Sequence, residues 1–317
     1  MAKKDPTIPV YLITGFLDGG KTNFLKYTLQ EPYFNDGSHS LLILTEEGEE
    51  EFDAKILKKT RSSLVIVNDE TELTTDYLKS VQNLYAPERV LIEYNGMWDL
   101  QKILTLELPK FWMIYQIITI LDGANFGLYL DNIKAQSMAF LMNTDMVIFN
   151  RCRKDTDLVR YQRTVRSVNP RCTLVFEDDR GNEVECPEPD LPYSLETVPI
   201  EITDEVWGSF FLDLQEHPDR YVNKSIRFLL QIMQDKKFPK NMFVAGRRAM
   251  TCCEADIRFL PYIFIYEKAS SLPNGGWATI TASMKWQFHE GYREEGPVFY
   301  VTDLKLANPP AKELITF

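Results

Sequence analysis

The chain predicts two domains of different class: an α/β domain on a mostly parallel sheet, followed by a smaller β-rich domain. Three observations predict this. In the first half, short continuous apolar runs alternate with amphipathic stretches, as in strands covered on both faces and joined by crossover helices. A glycine-rich loop ends the first apolar run and opens the first amphipathic one. Beyond about residue 180 little helical periodicity is left, and strand-like runs are joined by turn signals such as Pro273-Asn274-Gly275-Gly276.

Taken in order, Val10–Thr14 is a β-rich run ending at Gly15, and from Thr22 the residues Phe24, Leu25 and Leu29 recur at helical spacing. Further strands are expected at Leu41–Leu44, Leu64–Val67, Val90–Ile92, Ile114–Leu121, Met146–Phe149 and Thr173–Phe176. Helices are expected over Thr75–Tyr85, Ala124–Met142 and Thr156–Val168. Gly181–Tyr193 carries Pro187, Pro189 and Pro192, which exclude a central strand and suit a linker or surface hairpin. One more helix, Asp204–Asp213, precedes strands at Ser225–Gln234, Met242–Ala245, Tyr262–Tyr266, Trp277–Gln287 and Val298–Leu306. A small barrel or sandwich accommodates them. The expected division is 1–180, a linker at 181–203, and 204–317.

Composition narrows the partners. With 35 basic and 46 acidic side chains in 317 residues the net charge is −11, which argues against free nucleic acid. The longest apolar run, Phe111–Leu121, is interrupted by Gln116 and is shorter than the ~20 residues of a membrane span. No signal-peptide pattern precedes the first strand, and the five cysteines form an odd, unevenly spaced set. A cytoplasmic protein with reduced thiols is expected.

The segment Gly15-Phe16-Leu17-Asp18-Gly19-Gly20-Lys21-Thr22 fits G-x-x-x-x-G-K-[ST], with a strand before it and a helix after it. The fold class is therefore that of a P-loop NTPase. In such a loop the backbone amides around Gly15, Asp18, Gly19 and Gly20 turn inward on phosphate at a helix N-terminus. Lys21 neutralises β and γ oxygens, Thr22 is placed to ligate Mg²⁺, and Asn23 follows in the first turn. Val90-Leu91-Ile92-Glu93 is a strand ending in an acid, and Glu93-x-x-Gly96 fits a Mg²⁺-side acid with its switch glycine. Residues 45–53 hold six acids directly after a strand, either a solvated loop or a switch segment. In the second case Glu46 or Glu47 supplies a Mg²⁺ ligand or general base, with Glu47 favoured. Lys21, Glu47 and Glu93 are thus the catalytic candidates. Asn150, at the end of Met146–Phe149, stands where N-K-x-D reads guanine, but Arg151-Cys152-Arg153 follows and Asp155 comes two residues late. GTP/GDP is the favoured nucleotide, with ATP the alternative.

In order, the Gly15–Thr22 loop, Glu46-Glu47-Gly48 through Asp53, Glu93-x-x-Gly96, Leu121-Asp122-Gly-Ala-Asn-Phe126 and Asn150-Arg151 resemble the CobW-like metallochaperone GTPases over roughly residues 8 to 180. The resemblance implies slow Mg²⁺-dependent GTP hydrolysis, delivery of an ion such as zinc or cobalt to a client metalloprotein, and homodimers formed across the nucleotide. Three departures stand out. Asp18 replaces a usual glycine, the C-x-C-C metal motif is absent because no cysteine precedes Cys152, and N-K-x-D is degraded.

The second half differs from the usual partner domain of that family. Pro218-Asp219-Arg220-Tyr221-x-Asn-Lys224 and Gly246-Arg247-x4-Cys252-Cys253-x-Ala-Asp256 resemble a bacterial family with an OB-like β domain, sometimes paired with a membrane permease. Cys252 and Cys253 are candidate Zn²⁺ ligands with Asp256 and His289 if a bent loop turns both thiolates to one ion; buried apolar cysteines are the other reading. A scaffold that binds a protein partner through the acidic segment and the β domain, without hydrolysis or metal, is the alternative from another class.

Overall fold

The computed structural model describes residues 7–45, 52–250 and 257–317. The chain divides into two compact units, Met1–Pro187 and Glu188–Phe317.

The first unit is a seven-stranded sheet in the order β3-β2-β4-β1-β5-β6-β7, with every pairing parallel. Its strands are β1 (Ile8–Thr14), β2 (Ser40–Leu44), β3 (Ser62–Ile66), β4 (Arg89–Glu93), β5 (Trp112–Asp122), β6 (Met146–Asn150) and β7 (Thr173–Phe176). Connecting them are α1 (Lys21–Gln30), α2 (Ala54–Lys59), α3 (Thr75–Tyr85), α4 (Leu100–Thr105), α5 (Phe126–Asn132), α6 (Lys134–Met142) and α7 (Leu158–Val168). The single helix expected over Ala124–Met142 is two helices, divided at Ile133, whose φ of −133° and ψ of 50° lie outside the helical region. The apolar residues hid the break because both pieces bury their own faces. α2 and α4 are short elements the apolar pattern did not announce. Asp53 and Asp99 cap them through the amides of Lys55 and Gln101.

Side-chain alternation fixes what each face of the sheet sees. Ile13, Leu42, Leu91, Ile118, Ile120 and Ile148 join Leu25 and Leu29 of α1 in one core, with Val175 packed against it. On the opposite face Phe149 stacks with Phe176 and Tyr161 and meets Phe126, so α5 and α7 cover that side. β1 is the central strand, and its C-terminal end therefore lies in the middle of the carboxyl edge, flanked by the ends of β4 and β5. That edge is where open α/β sheets place their ligands.

The second unit is β-rich. α8 (Trp207–Glu216) packs with strands β8 (Ile200–Ile202), β9 (Ser225–Met233), β10 (Met242–Met250), β11 (Arg258–Ile265), β12 (Trp277–His289), β13 (Glu294–Ala307) and β14 (Leu314–Thr316). β9 pairs with both β12 and β10, so β10-β11-β13-β12-β9 returns to β10 and closes a five-stranded barrel. β11 and β13 run parallel, and the other barrel pairings are antiparallel. A closed five-stranded barrel of this kind fits the OB-like domain expected from the sequence. Phe228, Phe243, Phe264 and Phe299 fill its interior.

Two sequence elements singled out in this half hold the barrel together. In Pro218-Asp219-Arg220-Tyr221, Arg220 donates to Asp213 at 2.7 Å and also pairs with Glu188, while the buried Tyr221 hydroxyl donates to the other Asp213 oxygen at 2.5 Å. Tyr193 meets the same hydroxyl at 2.5 Å. In Gly246-Arg247, a Cβ on Gly246 would lie 2.0 Å from the Leu260 carbonyl oxygen, so only glycine permits that strand contact. Arg247 is 1% exposed; it pairs with Asp204, donates to Lys312 O at 2.9 Å and lies over the Trp277 ring. The motif arginine thus ties the segment before α8 and the C-terminal tail to the barrel wall. Cys252, Cys253 and Asp256 lie outside the described residues. His289 ends β12 and accepts the Gly291 amide on Nδ1 at 3.0 Å.

Candidate nucleotide site

The loop from Gly15 to Gly20 leaves β1 and enters α1 at the carboxyl edge. Lys21 is only 2% exposed, and its Nζ donates to the carbonyls of Gly15 (3.1 Å) and Phe16 (2.8 Å). The ammonium is thereby held inside its own loop. Gly20 caps α1 at a φ of 95°, and no acid lies in the first turn, so the helix end is electrostatically open to an anion. Asp18 adopts a φ of 56° with its side chain exposed, which explains how it replaces the usual glycine: Asp is among the few residues that tolerate the left-handed region. Asn23 is exposed in the first turn of α1.

Thr22 and Glu93 come together. The Thr22 hydroxyl donates to Glu93 Oε1 at 2.8 Å, although 71 residues separate them. Glu93 is 3% exposed at the end of β4, on the same face as Leu91 and α1. Gly96 then folds back against the loop. A Cβ there would stand 2.3 Å from Gly15 O and 3.0 Å from Phe16 Cα. Thr45, the last described residue before the acidic segment, is fixed to the same strand end: its Oγ1 donates to Glu93 O at 3.0 Å and accepts the Asn95 amide at 2.7 Å. Glu46 and Glu47 lie outside the described residues, but the chain re-enters at Phe52, which packs against the α1 core with Lys26 over its ring.

Asn150 reaches the loop from the other side. Its Nδ2 donates to Gly19 O at 2.8 Å, while its buried Oδ1 has no hydrogen-bond partner among the described residues. Arg151, at a φ of 53°, donates to Asp18 O at 2.9 Å and pairs with Asp122 at 3.2 Å. The Asn150-Arg151 pair therefore clamps the tip of the phosphate loop. Asp155 sits at the exposed end of a turn closed by Thr156 on Arg153. Cys152, beside it, is buried, and burial pushes its thiol up to about 11.

Sequence reasoning missed Asp122 and Arg151 as tethers, and it missed Glu177. This acid directly follows β7, half-buried, and its carboxyl is raised above the usual carboxylate range by burial and by Asp178 and Glu183. The rule that selected Glu93, an acid at the end of an apolar strand, would have selected Glu177 also.

An all-parallel sheet with a lysine-centred loop between its central strand and a helix, and a Thr-acid pair beside it, defines a P-loop nucleotide-binding protein. Residues 9–176 match the family described as CobW/HypB/UreG, nucleotide-binding domain, and the chain belongs to that family. Residues 188–315 match the DUF1980 C-terminal domain. No curated protein sequence matches the chain significantly. Among solved structures, the chain is similar to the Zn(II)-bound YjiA GTPase from E. coli, at 16% identity over 81% of this chain and 88% of that one, with a TM-score of 0.43. It is also similar to the hydrogenase maturation factor HypB from Archaeoglobus fulgidus (13% identity, 56% and 84% covered, TM-score 0.39). HypB from Helicobacter pylori in complex with nickel gives 14%, 55% and 80%, with 0.36. Among the described residues no helix is long and apolar enough to cross a membrane.

Proposed function

We propose that the chain is a Mg²⁺-dependent GTP-binding protein that hydrolyses GTP slowly and acts in metal delivery or metal homeostasis. The observation that supports this best is the Thr22–Glu93 contact at 2.8 Å beside the enclosed Lys21 ammonium. Hydroxyl and carboxylate oxygens are hard donors of the kind Mg²⁺ takes, so this pair fits the ion. Thr22 and Glu93 would hold the ion, which would there supply neutralisation of phosphate charge. Lys21 leaves the Gly15 and Phe16 carbonyls for phosphate oxygens, and the loop amides with the α1 N-terminus hold the rest of the anion. Glu46 or Glu47, which follows in sequence the Thr45 tethered to Glu93 and Asn95, is the candidate to position water.

Membership of the CobW/HypB/UreG family supports the metal role, as do relatives whose solved forms contain Zn(II) or nickel. In this chain the zinc ligands of the proposal are Cys252 and Cys253, the partners a client metalloprotein or a permease, the assembly a homodimer, and the compartment the cytoplasm. Calorimetry with GTP, ATP and XTP, with and without Mg²⁺, tests the nucleotide part. Wild type should bind GTP with Mg²⁺ and Lys21→Ala should not; ATP preference, or equal binding by Lys21→Ala, refutes it. Zinc titration of wild type against Cys252→Ser/Cys253→Ser tests the metal part, and equal affinity removes it.

A further inference from the structure

We infer that Glu177 reads the guanine edge of the bound nucleotide, taking the place of the aspartate missing after Asn150-Arg151. The inference rests on the nucleotide-binding reading above and adds the residue that sets base choice.

Alternation gives the placement. Ile148 and Val175 face the α1 side, whereas Phe149 and Phe176 pair in register and stack on the α7 side. Asn150 and Glu177, one residue further on each strand, therefore share the α1 face at the carboxyl edge. Backbone bonds hold them side by side: Glu177 N donates to Phe149 O, and Cys152 N donates to Glu177 O, both at 2.8 Å. From β1 to β7 the edge crosses three strand spacings, about 14 Å in all. An extended nucleotide anchored by its phosphates at Lys21 and running past Asn150 brings its base to this end.

Chemistry then selects Glu177 over its neighbours. Asp178 is saturated by the amides of Arg180 and Asn182 and the Asn182 side chain. Asp155 is exposed at a turn tip. Glu177 makes no side-chain hydrogen bond or ion pair among the described residues, and the charged groups that act on its carboxyl, Asp178 and Glu183, are both acids, Glu183 lying opposite it across a backbone bridge. With Asn150 Oδ1 also lacking a donor among them, the edge offers acceptors and calls for a ligand with adjacent N–H groups. The N1–H and exocyclic amine of guanine are such a pair; adenine presents an acceptor at N1 instead. A carboxylate accepts both guanine protons without any change of covalent state.

The test is competition binding of GTP, ITP, XTP and ATP to the full chain as wild type, Glu177→Gln and Asp155→Asn. Wild type should favour GTP over ITP, which lacks the amine, and over XTP. Glu177→Gln should lose about ten- to hundred-fold in GTP affinity and gain for XTP, since its amide now donates to the xanthine carbonyl. Asp155→Asn should behave as wild type. An unchanged GTP/XTP ratio in Glu177→Gln, the switch appearing in Asp155→Asn, or a wild type that binds GTP and ITP equally overturns the inference while leaving the nucleotide site standing. Absence of any GTP binding by wild type overturns the proposed function as well.

Discussion

Gly96→Ala is the sharpest perturbation of the phosphate loop because it removes no side chain from the site and acts only by pressing on the loop backbone. The added methyl would stand 2.3 Å from Gly15 O and 3.0 Å from Phe16 Cα, both backbone atoms that no rotamer change can remove. To restore ordinary contact at 3.4 Å the loop must retreat by about 1 Å, and overpacking of this kind costs about 1–3 kcal/mol. The retreat also displaces the amides that meet phosphate. Charge-assisted hydrogen bonds are worth about 1.5–3 kcal/mol each, so weakening even one lowers affinity roughly tenfold or more. Denaturant unfolding followed by intrinsic fluorescence, together with titration of fluorescent GTP, measures both effects. A variant with wild-type midpoint and GTP affinity within twofold would refute the idea that Gly96 braces the loop.

Tyr221→Phe should destabilise the second unit by about 1–3 kcal/mol, since it strips a buried donor from Asp213 and leaves the Tyr193 hydroxyl without its partner. Urea unfolding checks this, and a loss under ~0.5 kcal/mol would show that the network contributes little. Ionising Glu177 is harder in the folded state than in the unfolded chain, so its raised pKa lowers stability as pH rises through the carboxyl range. Glu177→Gln of the nucleotide-free protein should therefore melt higher than wild type at pH 7, with the gap closing toward pH 4; a variant that melts lower at both pH values contradicts the assignment. Native alkylation followed by mass spectrometry should leave Cys152 and Cys172 unmodified at pH 8, because both are buried and burial raises both thiols, while the partly exposed Cys186 reacts before either of them.

Much of the phosphate site was legible because its chemistry is local. Gly15 to Thr22 is one contiguous loop whose composition, a strand before it and a helix after it all lie within a few turns of sequence. Glu93 was legible for a related reason, as the first polar residue at the end of a continuous apolar strand, although only folding placed it 2.8 Å from Thr22. The division at Ile133 and the capped helices α2 and α4 were not legible, because an apolar periodicity marks a buried face and not where the backbone leaves the helix.

By itself, then, the sequence determined the class of each half, the identity of the phosphate loop and the loss of the N-K-x-D aspartate. Register and closure were decided by tertiary structure. β9 and β10 form a local antiparallel hairpin, but β9 meets β12, where Gln231 pairs with Trp277, only because the second half curls into a barrel, and a pairing between such distant segments leaves no local signature. The same holds for Arg247, which the motif marked but whose burial against Asp204, Lys312 and Trp277 depends on three separate segments converging. Glu177 is the clearest case. Its sequence neighbours make it one acid among several, and its meaning comes from standing beside Asn150 on the α1 face of a parallel sheet.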